Sequence, residues 1–285
     1  LSPGIVYALL AYLAWGLAPL FWRELKGVPA LEVLAYRVVG SALVFTALAL
    51  ARKSTRREFG QLLKSRKGPW KHLPPALLIT LNWSIYVAAV LRGEMVEASL
   101  GYFINPLLNV VLGAWILREV LDSATRWAVG FAGFGVLLMA GSLGRPPWIA
   151  LILAVSFALY GLLRKRAPTD AVVSSAVESL WMVPLALGFL ILGGGTWNHS
   201  VREWVFLGLG GVITALPLLC FVQAARRLPL SKLGFFQYLS PTLQFTIGVV
   251  LFHEPVLSGM WISFGFIWFA LGLLTGVSLV RSRRK

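Results

Sequence analysis

Apolar runs of bilayer length recur ten times along this chain, with very little between them. They cover roughly residues 4–22, 30–51, 74–91, 98–117, 127–143, 147–163, 171–192, 203–225, 233–252 and 256–280. A helix needs about 20 apolar residues to cross a hydrocarbon core. The expected fold is therefore an all-α membrane protein with ten transmembrane helices. Several connections leave room only for a tight reversal, so sequential helices should be antiparallel. Composition points the same way: 58% of the 285 residues are hydrophobic, 13% are charged and mean hydropathy is +0.78. Soluble domains are about half apolar and a quarter charged. Twelve tryptophans suit interfacial belts.

The basic residues orient the chain. A net charge of +15 could suggest nucleic acid, but the charges fall in short clusters between apolar runs, not on one face. Membrane lipids are the expected partner, and nucleic acid is not. One alternate set of loops carries twenty Lys and Arg, from Arg52 to Lys285, and the other carries five: Arg23, Lys26, Arg92, Arg145 and Arg202. Arg37 alone lies within a run and completes the 26. The asymmetry places both termini in the cytoplasm. The long basic segment 52–72 reads either as a solvated anchor against anionic headgroups or as an amphipathic helix punctuated by Phe59, Leu62 and Leu63. The first run lacks a basic leader and a small-residue cleavage pattern, so it is read as a retained helix.

Several chemistries find no support. Cys220 is the single cysteine, so neither a disulfide framework nor a thiolate metal site is expected. His72, His199 and His253 are far apart in sequence, and "FHEPV" lacks the second histidine of a metalloprotease helix. No glycine-rich phosphate loop occurs. Enzymatic activity, cofactors and metals are not expected.

Two stretches share a pattern. "SLGYFINPLLNVVLGAWILRE" (99–119) and "KLGFFQYLSPTLQFTIGVVLFHE" (232–254) each place glycine seven and glutamate thirteen positions after proline. At an offset of 135, Pro106 meets Pro241, Gly113 meets Gly248 and Glu119 meets Glu254. Asn82 meets Pro217, and Trp15-Gly16 resembles Tyr160-Gly161 at a slightly different offset. The chain thus divides into an N-terminal repeat, 1–145, and a C-terminal repeat, 146–285, which together form one transport domain. Five spans per repeat is an odd number, so the second repeat enters the membrane inverted. Inverted repeats with broken helices mark secondary transporters. Pro106, Pro217 and Pro241 are candidate helix breaks or hinges, since proline frees a carbonyl that only protein or cavity water can satisfy. The neighbouring amides and hydroxyls are either interhelical glue or the lining of a cavity.

The motifs "LNWSIYVAAV", "EASLGYFINPLLNVVLG", "SFALYGLLRK", "TALPLLCFVQAA" and "LSKLGFFQYLSPTLQF" resemble the RarD family, in the EamA-type branch of the drug/metabolite transporters. The resemblance covers almost the whole chain. It implies five plus five inverted helices in a bacterial inner membrane. It also implies transport of small metabolites or drug-like molecules, usually export, by alternating access. A channel or a non-transporting membrane interaction protein is the alternative.

The repeat and the resemblance place the substrate between the third and fourth helices of each half. Candidate substrate-binding residues are Asn82, Trp83, Tyr86, Tyr102, Asn105, Gln223, Gln237 and Tyr238. Arg37 and Glu178 are charged candidates inside spans, where ionisable residues cost roughly 2.5–3.5 kcal/mol on insertion scales. Each lies about seven residues into the second helix of its half, or roughly 10 Å deep. They pair with each other, snorkel, or face the cavity. In the last case Arg37 attracts an anionic group and Glu178 an amine or a proton, so proton coupling is one reading.

Overall fold

The computed structural model describes residues 2–117, 123–165, 169–225, 227–228 and 236–283. Among them there is no β-strand. The helices are α1 (Pro3–Arg23), α2 (Ala30–Ala51), α3 (Lys53–Lys64), α4 (Leu73–Arg92), α5 (Met95–Leu117), α6 (Ser123–Leu143), α7 (Trp148–Lys165), α8 (Ala171–Phe189), α9 (Val201–Ala225), α10 (Leu239–Thr246) and α11 (Ser258–Arg283). A π turn extends α8 over Leu190–Gly194 and another extends α10 over Ile247–Leu251. Apart from α3, each helix coincides with an expected apolar run. Residues 229–235, at the start of the ninth run, lie outside the described residues, as do Arg118 and Glu119. Six described helices are long and apolar enough to cross a bilayer by length and composition, with shorter apolar helices at Trp148–Arg164, Leu239–Leu251 and Ser258–Leu273.

Side chains that face outward are apolar. Leu43, Leu137, Leu185, Ile191 and Leu192 are 68–87% exposed. Soluble monomers rarely expose contiguous apolar surface on this scale, and lipid is the solvent that accepts it. Inside, α2 packs on α8 and α9, α1 on α9 and α10, α7 on α4 and α5, and α6 on α11. The largest core cluster joins Phe103, Ile104 and Leu107 of α5 to Phe245, Phe264 and Ile267.

The basic segment resolves into α3. Phe59 is buried with Phe45, Ala49 and Val173, while its lysines and arginines stay exposed. It is an amphipathic helix laid across the ends of α2 and α8.

Helix ends are closed by chemistry that lipid cannot supply. Gly93 ends α4 with a φ of 74°, where Glu94 N donates to Ala89 O at 2.8 Å. That left-handed cap suits glycine. His253 takes a φ of 52° after the second π turn, an uncommon conformation for a residue with a Cβ. It turns the chain so that Glu254 reaches back to α5. The Glu254 carboxylate accepts from Met95 N and Val96 N, each at 2.8 Å. Burial pushes this carboxyl above its ordinary value, while the two N–H donors pull it down. Glu97 does the same for α7, accepting from Ile149 N at 3.0 Å and from Arg145 at 2.8 Å. A carboxylate at a helix N-terminus meets both unpaired donors and the positive end of the dipole.

The prolines are accommodated in different ways. Pro19 has no N–H for Trp15 O, and Gln244 Nε2 supplies the missing donor at 3.1 Å. Helices α5 and α9 are continuous through Pro106 and Pro217. Pro241 sits in the first turn of α10, where a missing donor costs least.

Helices α2 and α9 meet at Gly40 and Gly211. A Cβ on Gly211 would lie 2.2 Å from the Gly40 carbonyl carbon, whereas one on Gly161 meets nothing within 4 Å. The opposing atoms at Gly211 are backbone, so the helices themselves must part. Gly211→Ala should therefore destabilise the purified protein by about 2 kcal/mol or more. Gly161→Ala should be neutral or stabilising by about 0.5–1 kcal/mol. Thermal unfolding in detergent checks both, and equal midpoints for the two variants would contradict the packing described.

Candidate functional site

Five of the eight candidate binding residues converge where α4, α5 and α7 meet. Asn82 is buried on α4. Its Nδ2 donates to Leu153 O at 2.9 Å and Ser156 Oγ at 3.0 Å, both on α7. Its Oδ1 accepts from Tyr102 OH of α5 at 3.2 Å. The Tyr86 and Tyr102 rings meet edge to face at 5.8 Å. One turn along α5, Asn105 Nδ2 donates to Ala154 O at 3.2 Å. An amide so placed holds three helices in register, because each unmade bond would cost about 1–3 kcal/mol away from water.

Trp83 joins the cluster through Arg37. The guanidinium lies 4.5 Å from the Trp83 ring and 4.9 Å from that of Trp22. Arg37 Nε donates to Thr214 Oγ1 of α9 at 2.9 Å. The Tyr86 and Tyr102 phenols are within electrostatic reach. Helices α1, α2, α4, α5 and α9 therefore all contribute to the surroundings of one buried cation.

The remaining three lie elsewhere. Gln223 occupies the last turns of α9, where its carbonyl groups accept from exposed Arg227. Gln237 precedes α10. Tyr238 follows it and packs against the α5–α6–α11 core. Pro106 belongs to α5 one residue after Asn105, and its side chain lies outside the described residues.

Arg37 and Glu178 do not pair. Glu178 of α8 accepts from Arg164 Nη1 at 3.1 Å and from Tyr160 OH at 3.1 Å, both on α7. His72 Nδ1 lies 3.6 Å from the same carboxylate, buried and beyond hydrogen-bond distance. A ladder of rings, Tyr102–Phe157–Tyr160, connects this acid to the Asn82 cluster. Sequence reasoning missed Arg164, which counted as a loop charge, and missed Thr214, Ser156 and Trp22. Tyr160 had left a trace as the repeat partner of Trp15, and Ser156, Arg164 and Thr214 only as letters of the family motifs.

In the first turn of α2 Glu32 is fully buried and accepts from Thr196 N at 3.0 Å and Thr196 Oγ1 at 2.9 Å, with His199 Nε2 at 2.7 Å. Among the described residues no three His, Cys, Asp or Glu converge as metal ligands.

Asn82→Leu should strand Tyr102 OH and lower stability by about 1–3 kcal/mol. Adding Tyr102→Phe removes one stranded group, so the double variant should lose less than the sum of the two single losses. A thermal-unfolding cycle reads this coupling, and strict additivity would contradict the bond.

Comparisons with known proteins bear on what such a cluster serves. The model of the EamA-like transporter family matches residues 2–141 and, separately, 146–276. An uncharacterised transporter of Bacillus subtilis, YojE, is 38% identical over 277 residues, which cover 95% of this chain and 93% of that protein. Protein RarD of Streptomyces exfoliatus is 41% identical over 288 residues, 99% of this chain and 90% of that one. A solved crystal structure superposes with a TM-score of 0.65 over 97% of this chain and 98% of its own, at 20% identity, a likeness of fold.

Proposed function

The chain belongs to the EamA-like transporter family as a RarD-type member, and we propose that it is a secondary transporter that exports small metabolites or drug-like molecules by alternating access. One observation carries this reading. The polar cluster is built from both halves: Asn82, Tyr102 and Arg37 come from the first, and Ser156, Leu153 and Thr214 from the second. A site shared between two halves is what alternating exposure requires. Asn82, Trp83, Tyr86, Tyr102 and Asn105 form its centre, Gln223, Gln237 and Tyr238 lie apart from it, and Pro106, Pro217 and Pro241 are the hinge positions.

Ten spans in two inverted repeats, 1–145 and 146–285, fit the neighbour relations. Exchanging the halves turns the α1–α9 contact into α7–α4, and α1–α10 into α7–α5. It turns α2–α9 into α8–α4 and leaves α2–α8, α6–α11 and α5–α10 unchanged. All of these contacts occur. The separate family matches to the two segments support the same division. The protein is placed in the bacterial inner (plasma) membrane with both termini in the cytoplasm. Export is the direction the family resemblance implies. The proton is the coupling ion of this reading, with Glu178, bonded to Arg164 and Tyr160 and 3.6 Å from His72 Nδ1, as the residue that would carry it.

Reconstitution tests the reading. A carrier in proteoliposomes should show saturable uptake of a substrate found by thermal-shift screening, with counterflow when unlabelled substrate is inside. Linear, non-saturating flux would indicate a channel, and no flux of any screened ligand an interaction protein. Glu178→Gln should flatten the pH dependence of transport while the protein still folds. An unchanged pH profile would remove Glu178 from coupling.

A further inference from the structure

Arg37 is the only Lys or Arg inside any of the ten apolar runs. Its side chain is buried, with the residue 7% exposed. Among the described residues no carboxylate lies within salt-bridge distance of it, whereas Glu178 and Glu97 each have an arginine. Its one hydrogen bond runs from Nε to Thr214, a hydroxyl already committed to Gly210 O as a donor. The Nη1 group is buried without a partner. Two more orphans sit nearby: the hydroxyl of Tyr86, and that of Ser41 one turn further along the same face of α2.

A guanidinium away from water keeps its charge and asks for an anion. Stacking on Trp22 and Trp83 satisfies its faces and leaves the donor edge open. A planar fork of N–H donors fits a carboxylate with two parallel bonds. Arg37 has no acid beside it, so a monoanion gives a neutral pair, while a dianionic phosphate would leave net charge in the low-dielectric interior. The indole of Trp83 beside the guanidinium and the neighbouring Tyr86–Tyr102 ring pair make its surroundings apolar and aromatic, as ligand sites commonly are.

We propose that Arg37, with Tyr86 and Ser41, binds the carboxylate of a small apolar or aromatic monocarboxylate, which is the substrate class of this transporter. The inference rests on the transport reading above. It assigns the orphaned donors to the ligand and leaves Asn82 as the amide that holds the helices together.

Phenylacetate is a suitable probe, with phenylacetamide as its neutral isostere and phenethylamine as its cationic one. Purified protein in chloride-free sulfate buffer is titrated by calorimetry and followed by thermal midpoint. Phenylacetate should bind saturably, at least about tenfold more tightly than either isostere. Arg37→Lys keeps the charge but loses the fork, so binding should weaken by roughly tenfold. Arg37→Gln should abolish binding. Should Arg37→Gln fail to fold, the isostere ratio on the wild type and the Arg37→Lys result still decide. Equal binding of the amide, unchanged binding in Arg37→Lys, or no saturable binding to folded wild type would each overturn the proposal. So would chloride or inorganic phosphate giving the stronger Arg37-dependent shift, which would assign the site to an inorganic ion. Proteoliposomes separate this inference from the one beneath it. Counterflow of neutral solutes without phenylacetate binding removes the carboxylate and keeps the transporter. Arg37-dependent binding without any counterflow does the reverse.

Discussion

Hydrocarbon offers no hydrogen bonds, and that single constraint organises this structure. A polar atom placed between the faces of the membrane is costly unless it finds its partner within the protein. Gln244 meets the carbonyl that Pro19 frees. Glu254 and Glu97 cap the first turns of α5 and α7. Asn82 spends both ends of its amide across two neighbouring helices. Each link joins segments far apart in sequence, so the polar bonds define which helices are neighbours while apolar packing fills the space between them. Close approach is left to small residues such as Gly40 and Gly211, since lipid gives helices no hydrophobic reason to associate.

Much of this was legible in the sequence because lipid forces a simple code. Run length gave each helix to within a few residues, since about 20 apolar residues have one economical conformation in a bilayer. Asn82, Trp83, Tyr86, Tyr102 and Asn105 were findable because polar and aromatic residues interrupt an otherwise uniform background. The partner of each was not. Thr214 and Ser156 are hydroxyls among many that bond their own helix, and only the crossing geometry of α9 and α7 turns them toward Arg37 and Asn82. Arg164 looked like a loop charge because its Cα is at the helix end, yet its long side chain reaches inward to Glu178. Arginine stems routinely uncouple the position of the charge from that of the backbone. The fate of the 52–72 segment likewise turned on Phe59, whose burial depends on the apolar surface that Phe45 and Ala49 of α2 and Val173 of α8 form together, which no local pattern announces.

Arg37 and Glu178 show how a duplicated scaffold and divergent chemistry combine. On the two-repeat reading they occupy the same depth in the second helix of each half, but they lie near opposite faces. A pair was one reading of these positions, and the structure separates them: the acid finds its counter-charge on α7, the helix before its own, and the base finds only aromatic faces and a hydroxyl. Desolvating an arginine without an acid is costly, and Glu178, committed to Arg164 and Tyr160, does not relieve it. The two charges therefore have different roles although their positions correspond. Glu178 is compensated within the fold by Arg164 and Tyr160. Arg37 is compensated incompletely, so the energy that would complete it is available to whatever anion enters. An uncompensated charge held rigid by two indoles is pre-organised for binding.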